Sequence, residues 1–210
     1  MAAMDKNKNL VLIDFETYNA SLTFLNNRPW QVAMLKVKND SIVDSLDKMI
    51  AWDCGFTISE EAKRITNFNE KKYEKLKEDE AEVFETVYDW LDGCDYIVGH
   101  NVLGFDMYLM RGWCKHHNKP YNHFFKKCID TLSFSRGVKT GIPFKEQENT
   151  LNEYQYKMLE NRKRGIRASL GEMGKYYSVD FDANKLHDAL ADLDLNLKVW
   201  KKLRLDIERM

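Results

Sequence analysis

The run LVLIDFET, residues 10 to 17, constrains this chain more than any other stretch. Leu10 to Ile13 reads as a buried strand, and the run then places Asp14 and Glu16 where the pattern calls for Val or Ile. Alternate residues of a strand face one way, so Asp14 and Glu16 share one face and Ile13 and Phe15 share the other. Two ionised carboxylates ~7 Å apart along one strand repel each other. Burying either without a partner costs several kcal/mol. The arrangement calls for a cation.

The rest of the pattern is that of an α/β protein. Strands are expected at 9–16, 28–38, 41–50, 95–101 and 126–132. An amphipathic helix is expected through Val83, Phe84, Val87, Trp90 and Leu91, and another from Phe105 to His117, stopped before Pro120. The stretch from Ser59 to about Glu74 is charged, and 136–150 reads as an exposed loop. A helical pattern then runs through Leu151, Tyr154, Met158 and Leu159. From Leu186 onward the alternation of Leu193, Leu195, Leu197 and Val199 competes with the helical spacing of Leu190, Leu193, Leu197 and Trp200. Length and the supply of Ala, Leu and Lys favour helix. Early strands followed by mixed strands and helices indicate a sheet sandwiched by helices.

The chain has 210 residues, 44% of them hydrophobic, enough for one well-formed core. One domain over 1–210 is expected, with an insertion at about 136–168. A net charge of −1 provides no global basic field, so a nucleic-acid face would have to be local. Cys54, Cys94, Cys114 and Cys128 show no C-x-x-C spacing and read as reduced thiols of a cytoplasmic protein. No apolar stretch reaches the ~18 residues of a membrane span, and no signal-peptide core opens the chain.

Further carboxylates lie where solvent-facing acids are not expected. Asp106, in VGHNVLGFDMYLM, shares a helix face with Leu109, Met110 and Trp113, the face that turns toward a core. Asp192, in HDALADLDLN, sits among alanines and leucines. His187 lies five residues earlier, near the helix start. Asp188 and Asp194 read as solvated acids, with Asp188 suited to the helix N-terminus.

Together these stretches resemble a known family. LIDFET, VGHNVLGFD and HDALAD are similar, in the same order and over residues 12 to 192, to the three motifs of the proofreading-type (DnaQ-like) DEDDh 3′–5′ exonucleases. Two departures stand out: Asn101 and Phe105 are separated by three residues where the family usually has two, and Tyr18 and Asn19 follow DFET where it often has glycine. The resemblance implies a ribonuclease H-like fold, a central mixed β-sheet flanked by α-helices. It implies two divalent cations and release of nucleoside 5′-monophosphates from a 3′ end. Asp14, Glu16, Asp106 and Asp192 would be the metal-binding acids and His187 the general base. The backbone around Thr17 would meet the terminal nucleotide.

The chemistry agrees on physical grounds. Phosphodiester hydrolysis builds charge on an attacking water and a leaving oxygen, and two Mg²⁺ ions can stabilise both. An all-carboxylate set suits Mg²⁺, with Mn²⁺ able to substitute, whereas zinc prefers His and Cys. An imidazole such as His187 can accept a proton near neutral pH. Substrate contacts are expected from Phe15 and Thr17, which flank the acids. Phe105 offers a surface on which a base can stack. Arg162 and Arg164 lie in the basic stretch KMLENRKRGIR, which reads either as a phosphate track or as a solvated helix end. The default for His100, Asp130, His116 and His117 is structural.

The leading expectation is therefore a metal-dependent 3′–5′ exonuclease acting on single-stranded DNA, frayed 3′ ends or short RNA. The alternatives are an RNA-directed exoribonuclease and a binding module of the same fold that has lost catalysis. No polymerase or repair partner is assigned.

Overall fold

β1 (Leu10–Thr17) lies inside a six-stranded sheet built from β2 (Pro29–Lys38), β3 (Ser41–Ala51), β4 (Lys77–Asp79), β5 (Tyr96–Gly99) and β6 (Cys128–Asp130). The computed structural model describes residues 5–53, 57–66, 68–183 and 188–210. The strand order is β4-β3-β2-β1-β5-β6. β1, β2 and β3 form an antiparallel meander, whereas β5 runs parallel to β1 and β6 parallel to β5. The β2–β3 turn is made by Asn39 and Asp40, both at positive φ (52° and 61°), as the tight hairpin turns favour.

Helices cover both faces, giving a mixed α/β sandwich. α3 (Glu80–Asp92), α4 (Asp106–His116) and α5 (Asn122–Lys127) enclose one core with Val11, Ile13, Phe15, Val32 and Met34. α6 (Thr131–Thr140), α7 (Leu151–Glu160) and α9 (Ala189–Arg209) enclose the other with Leu10, Leu12, Ala33, Leu35 and Val37. α8 (Leu170–Tyr176) packs outside α9 through Met173, Leu195 and Val199. The period-two pattern of β1 thus sends odd residues to one core and even residues to the other. No described helix is long and apolar enough to cross a membrane.

Several expectations need correction. The segment expected as a strand at 126–132 is strand only at Cys128–Asp130. The expected loop at 136–150 begins inside a helix, α6, which runs to Thr140. Asp130 starts that helix by accepting the N–H groups of Leu132 and Ser133, and the αL residue Gly141 ends it. The charged stretch after Ser59 holds two short helices, α1 (Glu60–Ile65) and α2 (Glu70–Leu76). Ser59 and Asn69 cap them with side-chain oxygens, the usual way of satisfying orphan N–H groups.

Candidate active site

The carboxyl ends of β1, β5 and β6 point the same way, and such ends are where open α/β sheets commonly hold their ligands. β1 pairs with β5 only from Leu10 to Leu12, so its last residues run on past the neighbouring strand. Asp106, at the start of α4, fills the gap: its Oδ1 accepts the Phe15 N–H at 3.0 Å. The connection from Gly99 to Asp106 is tightly built. Asn101 sits at φ 71°, a conformation Asn tolerates better than most residues. A Cβ on Gly104 would lie 2.3 Å from Asn101 Oδ1. From the other face, Asp188 caps α9, accepting the Ala191 N–H at 3.0 Å, and Asp192 lies in that helix's first turn. Asp14 and Asp192 line one cavity of about 120 Å³ together with His100 and Asn196.

Three chain-distant segments therefore bring four acids together. Glu16 and Asp106 are buried, while Asp14 and Asp192 are half-buried. Burial, followed by the Asp192 carboxylate, pushes Asp14 up to about 7. Burial and then the charges of Asp14, Asp192, Asp106 and Asp188 push Glu16 up to about 9. Burial and Asp14 hold Asp106 well above the usual carboxylate range, against the favourable Phe15 N–H. Asp14, Glu16 and Asp106 resist ionisation because their neighbours are like-charged and water is scarce. Either protons or cations must neutralise the group, and an all-oxygen donor set fits a hard divalent ion. His187 lies outside the described residues.

A groove of about 400 Å³ adjoins the acids in the chain, lined by Thr17, Asn19, Ala20, Ser59, Ala62, Thr66 and Phe105. Two residues named for substrate contact, Thr17 and Phe105, thus share one recess. Thr17 Oγ1 donates to Asn19 O at 2.6 Å. Asn27, fully buried, holds the same loop through Asn19 O at 2.7 Å and Ser21 O at 2.9 Å. Phe15 is a correction: its ring points into the α3–α4 core, edge-on to Trp113 at 6.1 Å, because it alternates with the acids. Only its backbone serves the site. Arg162 and Arg164 stand exposed in the connection between α7 and α8. Arg136 on α6 is lowered in pKa by burial and then by the charge of nearby Arg162.

His100 has only a structural default in the sequence reading and Asn196 is not singled out there, yet both line the cavity of Asp14 and Asp192. Burial lowers His100 to about 4, so a neutral imidazole faces the cavity of Asp14 and Asp192. Its Nδ1 lies 3.1 Å from Thr131 Oγ1, a hydroxyl that donates to Asn196 Oδ1 at 2.8 Å.

The sequence model of the exonuclease family (RNase T) matches residues 11–200. The fold is similar to that of E. coli exonuclease I in complex with a dT13 oligonucleotide, with a TM-score of 0.74 at 16% identity over 96% of this chain and 42% of that one. It is equally similar to the zinc-ion-bound exonuclease I complex with single-stranded DNA, with a TM-score of 0.75 at 16% identity, covering 97% and 42%. At this identity the likeness shows the fold, which is ribonuclease H-like. The chain spans about two fifths of those proteins' length. No curated protein matches the sequence significantly.

Proposed function

This chain belongs to the exonuclease family, and from that premise we propose that it removes nucleotides one at a time from the 3′ end of single-stranded nucleic acid. The observation that carries the reading is the set of four acids from three segments, of which Asp14, Glu16 and Asp106 are raised in pKa by burial and by neighbouring acids. Asp14, Glu16, Asp106 and Asp192 would hold two divalent ions, Mg²⁺ in the first place. Once bound, these supply Lewis-acid stabilisation of the attacking and leaving oxygens. Asp106 is fixed for this work by the Phe15 N–H, and Asp192 by the first turn of α9. His187 would take the proton from the attacking water. The Thr17–Phe105 groove, of the size small ligands use, would receive the terminal nucleoside, with Phe105 as its apolar wall. Arg162 and Arg164 would follow the phosphates. The oligonucleotides named for the similar structures, dT13 and dA16, favour single-stranded DNA over RNA.

The test uses matched DNA and RNA oligomers, each labelled at the 5′ or the 3′ end, with Mg²⁺ or with EDTA. Progressive shortening of the 5′-labelled strand, early release of the 3′ label as a mononucleotide, and complete block by EDTA are expected. Intact strands in both Mg²⁺ and Mn²⁺ would overturn the proposal.

A further inference from the structure

Glu80, His116 and His117 form a second constellation outside the acid cluster. One donor atom from each lies within 4.8 Å of the other two. Glu80 opens α3, His116 ends α4, and His117 caps that helix. The same helix carries Asp106 at its far end, about 15 Å away at 1.5 Å rise per residue, so the two groups cannot share an ion.

Packing holds the donors in place. The His117 ring stacks on Phe84, with centroids 4.0 Å apart and planes at 13°. The His116 ring lies against Trp52 and Phe24, with centroids 6.5 and 6.3 Å away. Glu80 Oε1 accepts from Trp113 Nε1 and lies 2.6 Å from His117 Nε2. Lys119, two residues on, is occupied by Glu85 at 3.0 Å. An ordinary ion pair accounts for Glu80 with His117. The exposed His116, its ring centroid 5.1 Å from that of His117, brings a third donor within reach of both.

We infer that Glu80, His116 and His117 bind a transition-metal dication of the zinc class. Two imidazoles and one carboxylate, with water completing four-coordination, are a donor set zinc uses. Nitrogen donors select Zn²⁺, Ni²⁺ or Cu²⁺ over Mg²⁺, the reverse of the preference of the acid cluster. Binding replaces the Glu80–His117 hydrogen bond: any proton on His117 Nε2 leaves to solvent, and its lone pair and a Glu80 oxygen bond to the metal. The ion fastens the start of α3 to the end of α4, the helix that begins with Asp106.

The test is a Zn²⁺ titration of the full chain in saturating Mg²⁺, followed by calorimetry and by tryptophan fluorescence, since Trp113 contacts Glu80. The parent and Asp14→Asn/Asp192→Asn, which disables the acid cluster, should each bind one equivalent. His116→Ala should bind about 10- to 100-fold more weakly or worse, with unchanged exonuclease rate in Mg²⁺. Co²⁺ should give a visible d–d absorption that His116→Ala lacks. His116 is exposed, so that variant is expected to fold, and circular dichroism checks it. Equal Zn²⁺ affinity in the parent and His116→Ala would overturn the inference, as would loss of all Zn²⁺ binding in a folded Asp14→Asn/Asp192→Asn chain.

Discussion

Asp130 and the cluster of Asp14, Glu16, Asp106 and Asp192 lie at the same end of the sheet and are treated in opposite ways. Asp130, fully buried, accepts the backbone N–H groups of Asn101 at 3.2 Å, Leu103 at 2.9 Å, Leu132 at 3.0 Å and Ser133 at 3.1 Å. With so many donors it rises only to about 6. Glu16 faces Asp14, Asp192 and Asp106 and rises to about 9. The first acid is satisfied by its own chain and organises the connection that delivers Asp106. The cluster acids face one another, and although Asp106 accepts the Phe15 N–H, their mutual repulsion is destabilising unless something cationic arrives. Burial alone therefore does not mark a functional carboxylate; the source of its partners does.

The largest expected effect separates the two groups outright. Asp14→Asn or Asp192→Asn should lower exonuclease activity by about 10³-fold or more, given the several kcal/mol that metal chemistry supplies. The melting temperature of the metal-free protein should hold or rise, because a repulsive charge is gone. Asp130→Ala should do the reverse, removing about 3 kcal/mol of stability by stranding buried donors and affecting activity only through folding. Activity assays and thermal melts of the purified variants check both halves. An Asp130→Ala protein as stable as the parent would erase the distinction.

The next effect is on pH and metal dependence. Asp14 and Glu16 bind protons more tightly folded than unfolded, so their contribution to stability falls as pH rises from the ordinary values of 3.8 and 4.5 toward about 7 and about 9. Asp130 contributes a decline of the same sign that ends near 6. Between pH 6 and 9, then, metal-free melts should decline, and Glu16→Gln should flatten the decline. Mg²⁺ should remove it by holding the carboxylates ionised. An ion at a hundredfold excess over its Kd adds about 2.7 kcal/mol. A decline that persists in saturating Mg²⁺ would mean that the acids do not share an ion.

Much of this arrangement was legible in the sequence, and the failures have physical causes. β1 was readable because four apolar residues precede two acids that no core accepts unaided. α4 was readable because Asp106 shares a stripe with Leu109, Met110 and Trp113, all of them buried. The error over Phe15 came from treating a flanking residue as a contact when period two had already placed it on the opposite face. α6 was hidden because its helicity is tertiary. Its Ser, Thr, Gly and Val are poor helix formers; Asp130 caps it and Ser135 bonds back to Thr131 O at 2.6 Å. Gly137 admits Tyr154, whose hydroxyl would lie 1.9 Å from an added Cβ. Of these contacts only that between Gly137 and Tyr154 joins residues far apart in sequence. The convergence of His116 and His117 on Glu80 was equally invisible, since 35 residues of chain separate Glu80 from the first histidine.

The smallest effect concerns Asp188, which belongs to both kinds of acid at once. Like Asp130 it caps a helix, holding the Ala191 N–H at 3.0 Å. Like the cluster, it adds negative charge to the field on Glu16. Asp188→Ala should cost about 1 kcal/mol for the lost cap, partly offset by relief of repulsion when no metal is present. Asp188→Ser keeps a capping oxygen and discards the charge, which isolates the second role. Metal-free Asp188→Ser should melt at or slightly above the parent, whereas in saturating Mg²⁺ the parent should regain the advantage, because its extra charge then faces a cation. Thermal melts of both variants with and without Mg²⁺ measure the difference. If Asp188→Ser shifts equally in the two conditions, Asp188 acts as a cap alone, and the electrostatic reach of the site ends at Asp192.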